Sequence, residues 1–215
     1  MPATTTIRVP GVPFPLAFGA YTHDREWAPS RLGPTPRSAL PILAASDSDT
    51  IPGGTTTLTS RQSSIPAGGG RGFPPGYEMF VYSIQLVFGS ATGTRFNNLV
   101  PAASSPADAD MLQVFARVSF RFQIQTKLKS QGPLHAYPSG GGMFLTGYDT
   151  SNATNRLFSN NGPPSPRDKA AFILPHHLEP NIPYRGTLTP DVALALSGSN
   201  TMHIEGHIEG IIKRP

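Results

Sequence analysis

The segment from Met111 to Lys127 limits the fold most, because its side chains alternate between apolar and polar over most of its length. One set is mainly apolar: Leu112, Val114, Ala116, Val118, Phe120, Phe122, Ile124 and Thr126. The set between them is mainly polar: Gln113, Arg117, Ser119, Arg121, Gln123, Gln125 and Lys127. A two-residue period is that of a β-strand, whose successive side chains point to opposite faces of a sheet. The segment predicts one long strand, or two strands bent at a bulge, in an antiparallel sheet with one buried face.

The composition is that of one turn-rich domain with modest charge. The 215 residues are enough for a single all-β domain with its own core. Glycine (22) and proline (24) are frequent, which suits many turns and long ordered loops. The net charge of +4 comes from scattered basic residues, unlike the dense basic surface of a dedicated nucleic-acid-binding protein. The absence of cysteine excludes disulfides and cysteine-based metal sites.

The sequence shows no segment directed to or across a membrane. The N-terminal residues lack the basic and apolar regions of a signal peptide. No apolar run approaches the roughly 20 residues that cross a bilayer. We therefore expect a soluble protein that is not secreted by the usual route.

Residues 1–53 are predicted to form an extended, proline-rich N-terminal arm. Prolines recur through this range and block both helices and central strands. Between them lie apolar side chains that a purely disordered tail would lack, among them Phe14, Phe18, Tyr21 and Trp27. These four are candidates for an assembly interface, with the arm lying on a neighbouring copy; packing of the arm on its own domain is the alternative. In the first case, deleting residues 1–50 leaves a folded domain that no longer assembles.

Residues 54–215 are predicted to form one β-sandwich domain. Further strand-like segments lie at Tyr77–Phe88, Lys169–Leu174, Ile182–Leu188 and Met202–Lys213, and no segment keeps a helical period over three turns. About eight strands with Gly/Pro-rich loops of unequal length favour a jelly roll over an up-and-down barrel, whose connections are short. The predicted fold is an all-β, eight-stranded antiparallel jelly-roll sandwich with an extended N-terminal arm.

The final predicted strand carries the most regular set of ionisable side chains. Alternation places His203, Glu205, His207 and Glu209 on one face, opposite a face of isoleucine, methionine and glycine. We interpret this face as a solvent or assembly-interface surface. A metal site is the alternative, since a histidine and a glutamate two residues apart could reach one ion, whereas the two histidines are too far apart to share it. We expect no cofactor.

No motif in the sequence indicates catalysis. The chain has no nucleophile elbow, no phosphate-binding loop and no zinc-protease motif, so we do not expect an enzyme. Arg117, Arg121 and Lys127 lie on the polar face of the predicted long strand, where a basic face could bind a nucleic-acid backbone. A solvated face paired with neighbouring acids is the alternative interpretation.

Four segments together carry a resemblance to a known family: Tyr77–Phe88, Leu112–Lys127, Ala171–Pro175 and Met202–Lys213. In this pattern the chain resembles the single-jelly-roll capsid proteins of tailless icosahedral viruses and phages. The resemblance implies a virion structural protein, made in the host cytoplasm, that builds an icosahedral shell as a homo-oligomer through its jelly roll and N-terminal arm. It also implies a second capsid protein as a partner, and in some members the shell encloses a lipid membrane.

Two other functions remain open at this point. A carbohydrate- or receptor-binding β-sandwich of a virion spike would use exposed aromatic residues, for which Trp27, Tyr137, Tyr148 and Tyr184 are the candidates. A coat protein or single-strand binder would use the face that carries Arg117 and Arg121. The affinity of such a binder for nucleic acid would fall steeply with salt.

Overall fold

The computed structural model of the chain describes residues 6–8, 10–12, 16–17, 22–43, 64–66, 72–90, 108–137, 144–149, 156–160, 169–196 and 201–215. These residues form strands joined by one α-helix and one 3₁₀ turn. In chain order the elements are β1 (Thr6–Ile7), β2 (Leu16–Ala17), β3 (Thr22–Leu32), β4 (Leu40–Ile42), β5 (Glu78–Ser90), α1 (Asp108–Arg117), β6 (Val118–Ile124), β7 (Lys127–Pro133), the 3₁₀ turn (Leu134–Ala136), β8 (Phe144–Asp149), β9 (Arg156–Asn160), β10 (Ala170–Leu178), β11 (Tyr184–Pro190) and β12 (Met202–Lys213).

Two four-stranded antiparallel sheets pack together into an all-β sandwich. The strand order is β10–β5–β12–β3 in the first sheet and β4–β11–β6–β7 in the second. Four of the pairs are nested along the chain: β3 with β12, β4 with β11, β5 with β10, and β6 with β7. The pairs β5–β12 and β6–β11 join these into the two sheets. Two small hairpins, β1–β2 and β8–β9, lie outside them.

The core lies between the two sheets and follows the alternation of their strands. From β12, the side chains of Ile204, Ile208 and Ile212 are fully buried, and from β6 those of Phe120 and Phe122 are fully buried. All five belong to one cluster of buried residues. Burying apolar area of this kind is the main favourable term in folding. The other faces of these strands carry the polar residues.

The expected long strand over Met111–Lys127 is wrong in its first half. Residues Asp108–Arg117 form helix α1, and only Val118–Ile124 continues as the strand β6. Met111 and Phe115 break the alternation and are four residues apart, which is the spacing of one helical face. Asp108 at the start and Arg117 at the end also suit the helix dipole. Val114 of this helix is fully buried.

The other predicted strands agree with the structure more closely. The final strand, β12, has the predicted bounds Met202–Lys213, and β5 and β11 match their predicted segments within two residues. The strand beginning near Lys169 does not end at Pro175 as expected, because β10 continues to Leu178. Proline is tolerated there since β10 is an edge strand with an irregular register.

The expected arm over residues 1–53 differs from the structure, because two strands of the sandwich lie within this range. The 11-residue β3 is an edge strand of the first sheet, and β4 is an edge strand of the second. Pro29 and Pro41 lie inside these strands, where an edge position accommodates a residue without a backbone N–H. The boundary at residue 54 therefore does not separate an arm from the sandwich.

Candidate functional site

The outer face of β12 and β3 carries the ionisable residues that alternation predicted. The register sets His203 opposite Arg31, His207 opposite Trp27, and Glu209 opposite Arg25. Directly opposite residues share a face, so these side chains form one surface across the two strands. We call this surface the β12 polar face. It lies on the side of the sheet away from the buried isoleucines.

Glu209 is the centre of this face and is nearly buried, with 8% of its surface exposed. Its carboxylate contacts groups of β3, β5 and the residue before β10, so one side chain of β12 links three strands of the sheet and the start of the fourth. The five partners are Lys169 (2.9 Å), Arg25 (3.4 Å), His23 (3.4 Å), Ser83 (3.3 Å) and Gln85 (3.4 Å). A buried carboxylate needs such partners, because an unpaired charge in the interior is costly.

The pKa of Glu209 reflects this competition between burial and charge. Burial acts to raise the pKa, but the hydrogen bond and charge of Lys169, with the charge of Arg25, outweigh it and hold the pKa below its usual value. The ionised form is therefore the form that the folded state stabilises. Its contribution to stability is present at neutral pH and is lost as the pH falls through the lowered value.

We predict that Glu209→Gln lowers the free energy of unfolding at pH 7 by about 2 kcal/mol, the range for hydrogen bonds to a charged group. The variant is also expected to lose less stability than the wild type below about pH 4.3, the usual glutamate pKa, since it lacks the titrating group. Urea denaturation at pH 7 and pH 3.5 measures both effects. Glu179→Gln is the matched control, because Glu179 is 60% exposed. Equal acid sensitivity in wild type and Glu209→Gln would contradict this prediction.

The histidines of the β12 polar face differ in their environments. His207 is buried, lies 3.2 Å from a carboxylate oxygen of Glu205, and stacks on Trp27 with ring centroids 6.4 Å apart. His203 lies 3.3 Å from the guanidinium of Arg31. Burial and the charge of Arg31 lower the pKa of His203, against the opposing effect of Glu205. His203 is therefore neutral at pH 7 and accepts a hydrogen bond from Arg31.

The residues predicted for an assembly interface differ in whether the structure describes them and in how far they are buried. Phe14, Phe18 and Tyr21 fall outside the described residues, and Trp27 is half-buried on β3. Burial on this face of β12 increases along the strand: His203 and Glu205 keep part of their surface exposed, whereas His207 and Glu209 are buried within the single chain. Contact with a partner through this face would therefore depend on its exposed members. The interface itself stays a prediction.

The three basic residues predicted to share a face are not brought together. Arg117 ends α1, and its Nε donates a 3.0 Å hydrogen bond to Asp191. Arg121 is exposed on β6 on the side away from the core. Lys127 begins β7 opposite Ile124, whose side chain faces the core, so Arg121 and Lys127 lie on opposite faces of the sheet. The long strand on which this prediction rested does not form.

Two of the four aromatic candidates for carbohydrate binding are buried. Tyr137 and Tyr184 are buried, and burial, with the nearby Glu26 charge, raises the pKa of Tyr184. The side chain of Tyr148 is outside the described part of the structure. Of the candidates whose side chains the structure describes, Trp27 is the partly exposed one, and it stacks on His207.

Sequence reasoning missed an ion pair between a buried glutamate of β3 and an arginine that follows β12. Glu26 on β3 is 1% exposed and accepts a 2.9 Å hydrogen bond from Arg214. Arg214 also bonds Asp24 at 2.7 Å. Asp24 and Glu26 are two residues apart and so share a strand face, which is the signal that was available. Their partner lies 188 residues away, and no local pattern indicates it.

Comparison with known proteins does not identify the chain. It matches no protein family model, no curated protein and no solved structure. Among the residues that the structure describes, no group of three or more histidine, aspartate or glutamate side chains is placed to hold a metal ion. In the same residues, no helix is long and apolar enough to cross a membrane. The strand topology and the exposed side chains are therefore the features that bear on function.

Proposed function

We propose that this chain is a virion shell subunit whose sandwich is a single jelly roll of eight strands. The observation that supports it is the nesting of the strand pairs, β3·β12, β4·β11, β5·β10 and β6·β7. Such nesting results when one long antiparallel hairpin is rolled up. Its successive strand pairs then alternate between two sheets. Jelly rolls of this size are found in viral capsid and lectin domains. Because fold alone does not determine function, the surface has to favour one of these.

The exposed side chains support the shell over the lectin. Four large aliphatic side chains are exposed to solvent, whereas two of the four aromatic candidates for sugar stacking, Tyr137 and Tyr184, are buried. The exposed set is Leu128, Ile173, Leu174 and Val192. Exposed apolar side chains that adjoin one another mark protein contact surfaces, and Ile173 and Leu174 are consecutive in β10. A closed shell needs repeated contacts of this kind between identical copies.

The mass of the purified protein in solution tests this proposal. By light scattering at neutral pH we expect large discrete oligomers, visible as particles or rings by negative-stain electron microscopy. Replacing Ile173 and Leu174 by serine is expected to weaken assembly without unfolding the domain, since both side chains are exposed. Gln131→Ser, an exposed polar change, is the matched control. A monomer of 22.9 kDa at every concentration would overturn assembly by the chain alone.

A further inference from the structure

Strand β10 is interrupted by a bulge that carries an apolar tip. Ala171 pairs with Ser83 of β5, and the next pair is His176 with Val81. Residues 172–175 therefore oppose the single residue Tyr82. At the tip of the bulge Ile173 is 98% exposed and Leu174 is 66% exposed. We call this segment, Phe172–Pro175, the β10 bulge.

Aromatic packing holds the first residue of the β10 bulge against the core. The ring of Phe172 lies 4.5 Å from the ring of His176, and the His176 ring lies 6.5 Å from that of Phe122 on β6. His176 therefore sits at the edge of the sandwich between the two sheets. On the other side, Pro175 packs on Gly11, next to the hydrogen bond from Tyr82 to Pro10.

The surroundings of His176 stabilise the neutral form of its ring relative to the protonated form. Its Nε2 is buried without a hydrogen-bond partner. Burial, and then the charge of Lys129 on β7, lower its pKa below the usual value. The nearby carboxylates of Glu78 and Glu179 are engaged by His177, at 3.1 and 3.5 Å.

The two adjacent histidines point to opposite faces of β10. The His177 ring stacks on Phe80 at 4.3 Å, whereas His176 faces Phe122 between the sheets. The groups that face His176 from the elements around it are thus Phe122 of β6, Lys129 of β7 and Phe172 of its own strand. Among the described residues no carboxylate pairs with this ring, so none compensates an imidazolium there.

We propose that His176 is an acid-sensitive latch: its neutral ring holds the β10 bulge against β6, and protonation releases the bulge from the edge of the sandwich. The closed arrangement has its full stability above about pH 6.5, the usual histidine pKa, and loses stability as the pH falls below it, because the open arrangement binds the proton more tightly. Release exposes Phe172 beside Ile173 and Leu174 and removes the fixed shape of the tip. This inference does not depend on the proposed shell function.

Hydrogen exchange of the β10 amides that flank the bulge tests the latch in the full chain. After correction for the intrinsic effect of pH, the protection of residues 170–171 and 176–178, which pair with β5 on either side of the bulge, is expected to fall about threefold to tenfold between pH 7.5 and pH 5.5, since each pH unit below the usual pKa shifts the equilibrium by up to tenfold. His176→Phe keeps an aromatic ring that cannot titrate and should show equal protection at both values. His135→Phe, at an exposed histidine, should behave as the wild type.

A second measurement covers the case in which His176→Phe does not fold. In the wild type, the NMR titration of the His176 ring should give a pKa below 6.5, and its midpoint should coincide with the loss of protection in the β10 residues that flank the bulge. Protection that does not change with pH in the wild type, or a ring that titrates at or above pH 6.5, would overturn the proposal. So would an acid response that persists in folded His176→Phe. None of these readouts requires the protein to assemble.

Discussion

Replacing Gly210 with alanine is expected to destabilise the domain by about 3 kcal/mol or more, at the upper end of what overpacking costs. Gly210 lies in β12, between β3 and β5 in the middle of the first sheet. The register of β12 on β5 shifts at this point, since Glu209 pairs with Ser83 and Gly210 with Val81. The backbone of β5 approaches so closely there that a Cβ on Gly210 would overlap the carbonyl oxygen of Phe80. A backbone atom cannot rotate away as a flexible side chain can.

Gly33→Ala is the matched control for this prediction. A Cβ at Gly33 would lie 3.6 Å from a methyl group of Thr201, which is an ordinary contact. We expect Gly33→Ala to change the free energy of unfolding by less than about 0.5 kcal/mol. Urea denaturation of both variants gives the comparison. If the two alanine variants are equally stable, β5 does not approach β12 as closely as the structure has it.

The sequence predicts those parts of the fold well in which the local pattern fits only one type of secondary structure. In β12 apolar residues and glycine alternate with histidine and glutamate from Met202 to Gly210, so the strand and its outward face could be predicted. In Met111–Lys127 the alternation continues into α1, although Leu112 and Ala116 there are also four residues apart, which is a helical spacing. Alternation alone therefore does not distinguish strand from helix in this range, and tertiary packing, in which Val114 is fully buried, favours the helix.

Local sequence patterns did not predict the contacts of the candidate site. Alternation showed that Glu209 leaves the core, but not that Lys169 and Arg25 meet it, because these residues come from other strands. Pairing of that kind depends on register between distant segments. The Pro-rich range 1–53 was misjudged for a related reason. A proline excludes a central strand but not an edge strand, and the position of a strand in its sheet is not local information.

Deleting residues 1–50 is expected to unfold the domain, and not merely to stop its assembly. The deletion removes β3, which pairs with β12 along 11 residue pairs, and β4, which pairs with β11. It also removes buried aliphatic side chains of the core, Leu32, Leu40, Ile42 and Leu43. Each contributes about 1.5–3 kcal/mol, and their sum is comparable to the 5–15 kcal/mol by which domains are usually stable.

Deletion of residues 1–5 is the matched control, because it leaves β3, β4 and the buried Leu16 in place. Thermal unfolding followed by circular dichroism should show a cooperative transition for the wild type and for the short deletion. No transition is expected for the long deletion. A cooperative transition in protein lacking residues 1–50 would mean that β12 and β11 form stable edges alone. That outcome would restore residues 1–50 as an arm whose loss affects assembly but not folding.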